Sequence, residues 1–93
     1  MLIGTCRLEL IIPQSRSLKN KRQVLKSLKD RIRNKFNISL AEIDHQDLWQ
    51  RSTIGIAMVA NEYSFIDRAL SQILNLLHSG PRINVIDYDI ERH

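Results

Sequence analysis

Residues 2–36, LIGTCRLELIIPQSRSLKNKRQVLKSLKDRIRNKF, contain the change in hydrophobic period that decides the fold. The first third alternates between apolar and polar side chains, which predicts a half-buried β-strand over residues 2–12. A proline, which has no amide hydrogen to donate, ends that strand. Apolar residues then recur at helical spacings, which predicts an amphipathic helix over residues 17–36, capped by Ser15 or Ser17.

The rest of the sequence predicts three more strands and a second helix. Alternation and helical spacing give these elements: strands over residues 38–43 and 52–60, a helix over residues 65–78, and a strand over residues 82–91. Ser64 followed by Asp67 resembles a capping box at the start of the second helix. Gly80 and Pro81 are typical of its end.

The element order β-α-β-β-α-β predicts an α+β fold of the ferredoxin-like type. Right-handed crossovers place strands one and three in the middle of a four-stranded, antiparallel-type sheet of order 4-1-3-2. Both helices then lie on one face, and the other face stays open. The length predicts that residues 1–93 form a single domain. Its predicted core comprises Leu8, Leu10, Leu25, Leu28, Ile32, Ile56, Leu70, Ile73 and Leu77.

Composition and charge narrow the class of protein. The net charge is +4, but residues 16–35 hold nine Lys/Arg and one acid, whereas acids outnumber bases in the remaining chain. No apolar run is long enough to cross a membrane, and the first residues lack the basic region of a signal peptide. A single cysteine, Cys6, allows neither an internal disulfide nor a Cys-based zinc site. We therefore expect a cytoplasmic protein whose basic segment meets an anionic partner.

A row of basic residues follows one flank of the first predicted helix. Its members, at spacings of three, four, three and four, are Lys19, Arg22, Lys26, Lys29 and Arg33, and Arg16 precedes them. Each Lys or Arg in such a row can neutralise a phosphate and release a counterion, so the row is a candidate nucleic-acid or anion-binding site. The alternative is a solvated helix face. Asp30 is the only acid available for pairing on this helix, which favours binding.

The segment from Glu42 to Arg51 is a second candidate site. Its acids and its histidine would suit a metal or an acid–base centre, but their spacing fits no recognised site. The alternative is a polar hairpin in which Trp49 packs over the core edge and Asp47 caps turn amides. Asp47, Trp49 and Arg51 form a candidate interaction loop. Lys21 falls within the apolar arc, and either extends to solvent or reaches an acid in the adjoining loop or at the end of the sheet.

No enzyme class is predicted. The three glycines are isolated, so no glycine-rich phosphate loop exists, and we expect Cys6 to be buried and inert. No metal, cofactor or small-molecule substrate is predicted. The RNA-recognition motif shares this topology but needs stacking aromatics on its two central strands. Residues 2–12 and 52–60 contain no aromatic side chain, so any RNA contact must use the helix and the loops.

Three ordered motifs carry a resemblance to a known family. They are SRSLKNKR at residues 15–22, FNIS followed by AE within residues 36–42, and HQDLWQR at residues 45–51. On these motifs the chain resembles, over essentially its whole length, the YlxP-like family of small bacterial proteins, a domain of unknown function. The resemblance implies a ferredoxin-like fold. Family members are often encoded beside ribosome-binding factor A and translation initiation factor two, which implies RNA or ribosome work by association only. The resemblance supplies no catalytic residues to assign to this sequence.

Two functional hypotheses follow. The first is a module that binds an RNA backbone or the ribosome through the basic helix. The second is a homodimer formed through the open sheet face, where Gly55, Ala57 and Val59 offer a flat, partly apolar surface beside Asp87 and Asp89. Acyl-phosphate hydrolysis is the enzyme alternative on this fold, but it would need a glycine-rich loop after the first strand, and that turn contains no glycine.

Overall fold

The structure is a computed structural model that describes all residues from Met1 to His93. Its elements follow in the order β1 (Leu2–Ile11), α1 (Leu18–Lys35), β2 (Ser39–Asp44), β3 (Arg51–Ala60), α2 (Tyr63–His78) and β4 (Asn84–Arg92). The predicted β-α-β-β-α-β order is confirmed, and each predicted end lies within two residues of the observed one.

The four strands form one sheet in the order β2-β3-β1-β4, which is the predicted order read from the opposite edge. All three pairings are antiparallel. The central strand β1 pairs with β3 from Leu2↔Ala60 to Ile11↔Arg51. This register places the loop between β2 and β3 at the end of the sheet where β1 leads into α1.

One apolar cluster of 17 buried residues joins the inner face of the sheet to both helices. All of the predicted core positions are buried except Leu25, which is half-buried and packs against the cluster. Val24 takes the buried position instead. The prediction was wrong here because Val24 shares a spacing of four residues with the buried Leu28 and Ile32, whereas Leu25 lies one position round the helix. Val24 also lines the groove that α1 shares with Leu76 and Leu77. The other predicted core positions are correct because they follow the period of their elements.

The two helices begin in different ways. Ser17 is the N-cap of α1, and its hydroxyl accepts a 2.9 Å hydrogen bond from the amide of Asn20. The N-cap of α2 is Glu62, which makes no side-chain capping bond. The capping box predicted from Ser64 and Asp67 is therefore wrong. The helix starts two residues earlier than predicted, and the Asp67 carboxylate instead pairs with Arg92 of β4.

A β-bulge interrupts the pairing of β4 with β1. The register runs from Glu9↔Asp87 to Leu10↔Val85 and leaves Ile86 without a partner. The alternation of Ile86, Tyr88 and Ile90 in the sequence predicts that all three share one face of the strand. In the structure Tyr88 and Ile90 have partners on β1, but Ile86 does not. An extra residue in one strand shifts the alternation of side chains on either side of it, and sequence periodicity does not show where such a residue lies.

β1 and α2 approach closely at a glycine. A Cβ atom built on Gly4 would collide with the side chain of Ile66, which is fully buried on α2. The absence of a side chain at Gly4 is therefore what lets the helix lie this close to the central strand.

Candidate nucleic-acid interface

Three sides of α1 have different surroundings. Its inner side is buried and consists of Lys21, Val24, Leu28 and Ile32. One flank, with Ser27 and Arg31, lines a groove shared with the end of α2 and with residues 80–83. The basic row lies on the opposite flank of the helical wheel. It therefore faces away from α2, on the side of the molecule where β2 is the edge strand.

We call the six predicted anion-binding residues the basic stripe: Arg16, Lys19, Arg22, Lys26, Lys29 and Arg33. Lys29 is half-buried and the other five are exposed. No side chain of the stripe forms an ion pair, and Asp30, the single acid on α1, forms none either. Each of the ion pairs to a Lys or Arg uses a residue outside the stripe, namely Arg7, Lys21, Arg51 or Arg92. The positive charge of the stripe is therefore not neutralised within the molecule.

Acidic side chains gather on the other layer of the molecule. Three acids of β4 stand opposite three polar residues of β1, in the pairs Asp87–Glu9, Asp89–Arg7 and Glu91–Thr5. The alternating residues Cys6 and Leu8 are buried beneath the helices, so these pairs project from the open face of the sheet. The charge asymmetry of the sequence thus becomes a spatial one, with a basic helix layer and an acidic open face.

Lys21 is the one charged side chain that is wholly inside the protein, with no exposed surface. Its Nζ lies 3.0 Å from a carboxylate oxygen of Glu42. It also donates to the carbonyl oxygens of His45 at 2.8 Å and of Arg51 at 3.2 Å. Of the two readings of Lys21 in the sequence, the structure shows the one in which it reaches an acid. With the carbonyl oxygen of Gln46 at 3.4 Å, four acceptors surround the three hydrogens of the ammonium group, so no donor is left unpaired.

These contacts hold the candidate interaction loop against the start of α1. A second anchor is Gln50, whose side-chain amide donates 3.1 Å hydrogen bonds to the carbonyl oxygens of Pro13 and Ser15. The carbonyl of Gln50 in turn accepts a 2.8 Å bond from the amide of Ile12. The loop is thus fixed by Lys21 from below and by Gln50 from the side. The Gln50 anchor could not be predicted from the sequence, because it joins two segments that are far apart in the chain.

Two expectations for this loop are wrong. Asp47 makes no side-chain hydrogen bond; the turn is instead capped by Asp44, whose carboxylate accepts a 2.7 Å bond from the amide of His45. Trp49 does not pack over the core edge, because its residue surface is 53% exposed and it lies outside the residues that pack on the core. The reason is that polar contacts of Lys21 and Gln50, and not apolar contacts of the indole, hold the loop in place.

The acids and the histidine of this segment point to different places. The Glu42 carboxylate lies beneath the sheet and accepts a 2.6 Å bond from Ser52. The His45 Nδ1 lies 2.9 Å from the hydroxyl of the buried Thr53, and that hydroxyl donates to Glu9 at 2.8 Å. Because the hydroxyl hydrogen goes to Glu9, the imidazole Nδ1–H is the donor to Thr53. No three His, Cys, Asp or Glu side chains come together to hold a metal ion.

Cys6 lies in the core, as predicted, and is 3% exposed. Burial, with a smaller contribution from the Asp89 carboxylate, raises the pKa of its thiol to about 11. Since the thiolate is the nucleophilic form, this cysteine is poorly suited to covalent chemistry at neutral pH. The open face of the sheet is equally unlike an RNA-recognition motif, since β1 and β3 contain no aromatic residue.

The element order and the sheet define a protein of the ferredoxin-like α+β class. Within this class the chain belongs to the family described as "Protein of unknown function (DUF503)", whose profile matches residues 3–90. This confirms the resemblance to YlxP-like proteins. No helix of the structure combines the length and the apolar character that spanning a membrane requires.

The chain is similar to a curated relative and to a solved structure. The "Uncharacterized protein YlxP" of Bacillus subtilis (strain 168) is 43% identical over 82 residues, which cover 88% of this chain and 89% of the relative. The de novo designed protein Foldit4 superposes with a TM-score of 0.60 at 9% identity, over 100% of this chain and 97% of that one. At that identity the second likeness supports the fold alone.

Proposed function

We propose that this protein is a cytoplasmic RNA-binding module, associated with the ribosome or another structured RNA, and that the basic stripe is its contact surface. The observation that carries the proposal is that no cation of the stripe has an intramolecular ion-pair partner, whereas four of the eight Lys and Arg residues outside the stripe have one. A solvated helix face would normally mix acids among its bases at spacings of three and four residues.

The dimensions of the stripe suit a phosphate backbone. From Lys19 to Arg33 the helix rises about 21 Å, at 1.5 Å per residue. Exposed Lys and Arg side chains along that length neutralise successive phosphates and release condensed counterions, which supplies affinity without sequence preference. The acidic open face, with Asp87, Asp89 and Glu91, repels the same backbone. These two surfaces together orient a nucleic acid toward the helix layer.

The test measures how affinity for a structured RNA depends on salt. For three to five phosphate contacts, log K against log salt should have a slope of roughly −2 to −4. Changing Lys26 and Arg33 together to Gln should reduce the magnitude of that slope by about one to two units and should weaken binding to all RNA sequences alike. The matched control is the double change Arg68→Gln and Arg82→Gln, which removes the same charge from two exposed cations outside the stripe. Absence of binding at low salt, or equal effects of both double variants, contradicts the proposal.

The homodimer is a second candidate, and one observation favours it. On the open face, Ile43 is 51% exposed and Val59 is 57% exposed, and between them lie the small residues Gly55 and Ala57. Exposed aliphatic side chains beside a flat surface are typical of contact regions. Such a dimer would leave the stripes of both copies free on their helix layers, so it is compatible with RNA binding.

A further inference from the structure

The exposed indole of Trp49 is the feature that the basic stripe does not explain. Trp49 is the only tryptophan of the chain and is 53% exposed, and its neighbour Leu48 is 43% exposed. Large aromatic side chains contribute most to stability when they are buried, and this one is not. Together with Ile11 and Arg51 they line a shallow hollow at the end of the sheet. The hollow is therefore an apolar surface that the fold itself does not use.

The backbone that carries this indole is held on both sides. The Lys21 ammonium group binds the carbonyl oxygens of His45 and Arg51, which bracket the segment. Between them, the Gln50 side chain binds the turn that leads from β1 to α1. An aromatic ring on a segment fixed in this way loses little further backbone entropy when a ligand stacks on it. The segment is therefore pre-ordered as a platform.

The platform lies at the N-terminal end of the stripe. Gln50 contacts the carbonyl of Ser15, and the next residue, Arg16, is the first cation of the stripe. The loop of Trp49 therefore contacts the turn at which the stripe begins. The continuity of the two surfaces links the indole to the charged row.

The charges of the loop decide which part of a nucleic acid fits there. Asp44 ends β2 and Asp47 lies in the loop, where it has no cationic partner. The Arg51 guanidinium at the hollow is paired with the Glu9 carboxylate at 3.7 Å. Carboxylates disfavour a phosphate at this position, whereas the face of a nucleobase carries no charge and stacks on an indole. The chemistry of the hollow thus selects a base, and the chemistry of the stripe selects a backbone.

We propose that Trp49 stacks on an unpaired base of an RNA whose backbone lies along the basic stripe. The preferred ligand is then a single-stranded segment or a loop, because the bases of an uninterrupted duplex are stacked on each other and out of reach. This inference rests on the proposed function and adds to it the class of RNA.

The test uses the fluorescence of Trp49, the only indole in the protein. Titration with oligouridylate at low salt should quench the emission, and titration with a blunt RNA duplex should leave it nearly unchanged. Trp49→Ala should weaken oligouridylate binding, measured by anisotropy of a labelled oligomer, by about fivefold or more, which is the lower end for loss of one stacked base. Trp49→Phe should retain most of the affinity, because a phenyl ring still stacks.

The control variant is Phe65→Ala, which removes an aromatic side chain with the same 53% exposure, on α2 and outside the loop. It should bind oligouridylate like the unchanged protein. Urea midpoints of all variants show whether they are folded. If Trp49→Ala binds oligouridylate normally while the Lys26 and Arg33 double variant loses binding, the stacking inference fails and the proposed function stands. If the unchanged protein binds no RNA, both fail, and the hollow is then a contact for a protein.

Discussion

Replacing Lys21 by alanine removes the one charged side chain that lies wholly inside the protein. The change takes away the partner of the Glu42 carboxylate at 3.0 Å and the donor to two loop carbonyls, those of His45 and Arg51. It also leaves a cavity where the aliphatic part of the side chain packed. We expect the variant to fold less stably and the loop that carries Trp49 to lose its order.

The expected loss of unfolding free energy follows from the contacts that each group loses. Breaking a buried ion pair by removing one partner costs about 3–5 kcal/mol. The Glu42 side chain is 19% exposed and keeps its bond to Ser52, so its carboxylate remains partly solvated. This places the expected loss near the lower end, at about 3 kcal/mol. In a domain of this size each kcal/mol lowers Tm by about 4–8 °C, so Tm should fall by about 12–24 °C.

Urea denaturation followed by circular dichroism measures the loss directly, and the Trp49 emission reports the loop in the same samples. Lys19→Ala is the matched control, since it removes an exposed and unpaired lysine from the same helix and should change the unfolding free energy by less than about 0.5 kcal/mol. A loss below about 1 kcal/mol for Lys21→Ala would refute the reasoning, because it would mean that the ammonium group is solvated or that other groups replace its contacts.

Two further predictions concern the open face and the core. If the chain forms a dimer through the open face, Val59→Asp should convert it to a folded monomer in sedimentation, whereas Ser71→Asp, at an exposed position in the middle of α2, should leave the dimer intact. A monomeric unchanged protein at high micromolar concentration rules the dimer out. For Cys6, the pKa of about 11 lies above the ordinary value of 9.0, so the folded state favours the neutral thiol. Its contribution to stability is therefore complete below about pH 9 and is lost as the pH rises toward 11. Native protein at pH 8 should react with a thiol reagent far more slowly than urea-unfolded protein, and equal rates would contradict the buried position.

The fold could be predicted from the sequence because its information is periodic and local. The alternation through Leu8 and Leu10, the helical spacing of Leu70, Ile73 and Leu77, and the right-handed crossover rule act without knowledge of distant partners. The predictions of structure were wrong where a contact with a distant segment of the chain determines the position of a residue. Asp67 resembles a capping residue in the sequence but pairs with Arg92 of β4.

The loop that carries Trp49 shows even more clearly that contacts with distant segments cannot be predicted from the sequence. The position of Lys21 in the apolar arc indicated that this lysine lies in an unusual environment. The carbonyl oxygens that accept its hydrogen bonds could not be identified from the sequence, because they lie 24 to 30 residues away along the chain. Trp49 was expected to pack on the core because tryptophan usually does. The contacts of Lys21 and Gln50 hold the loop in place without the indole. The ring is therefore exposed and available to the proposed ligand.

The energetic cost of the stripe strengthens the argument for a polyanion. Successive members from Lys19 to Arg33 form four like-charge pairs at spacings of three or four residues, and each costs about 0.2–0.5 kcal/mol. Lys19 and Arg22 also lie near the positive end of the helix dipole, and the first turn contains no acid to offset them. The like-charge pairs alone amount to about 1–2 kcal/mol, which is a sizeable part of the 5–15 kcal/mol that stabilises a typical domain. A row of phosphates along the stripe removes both costs at once, whereas the dimer through the open face removes neither. Neutralisation of the stripe by an RNA backbone would thus recover the free energy that α1 loses to charge repulsion in the unbound protein.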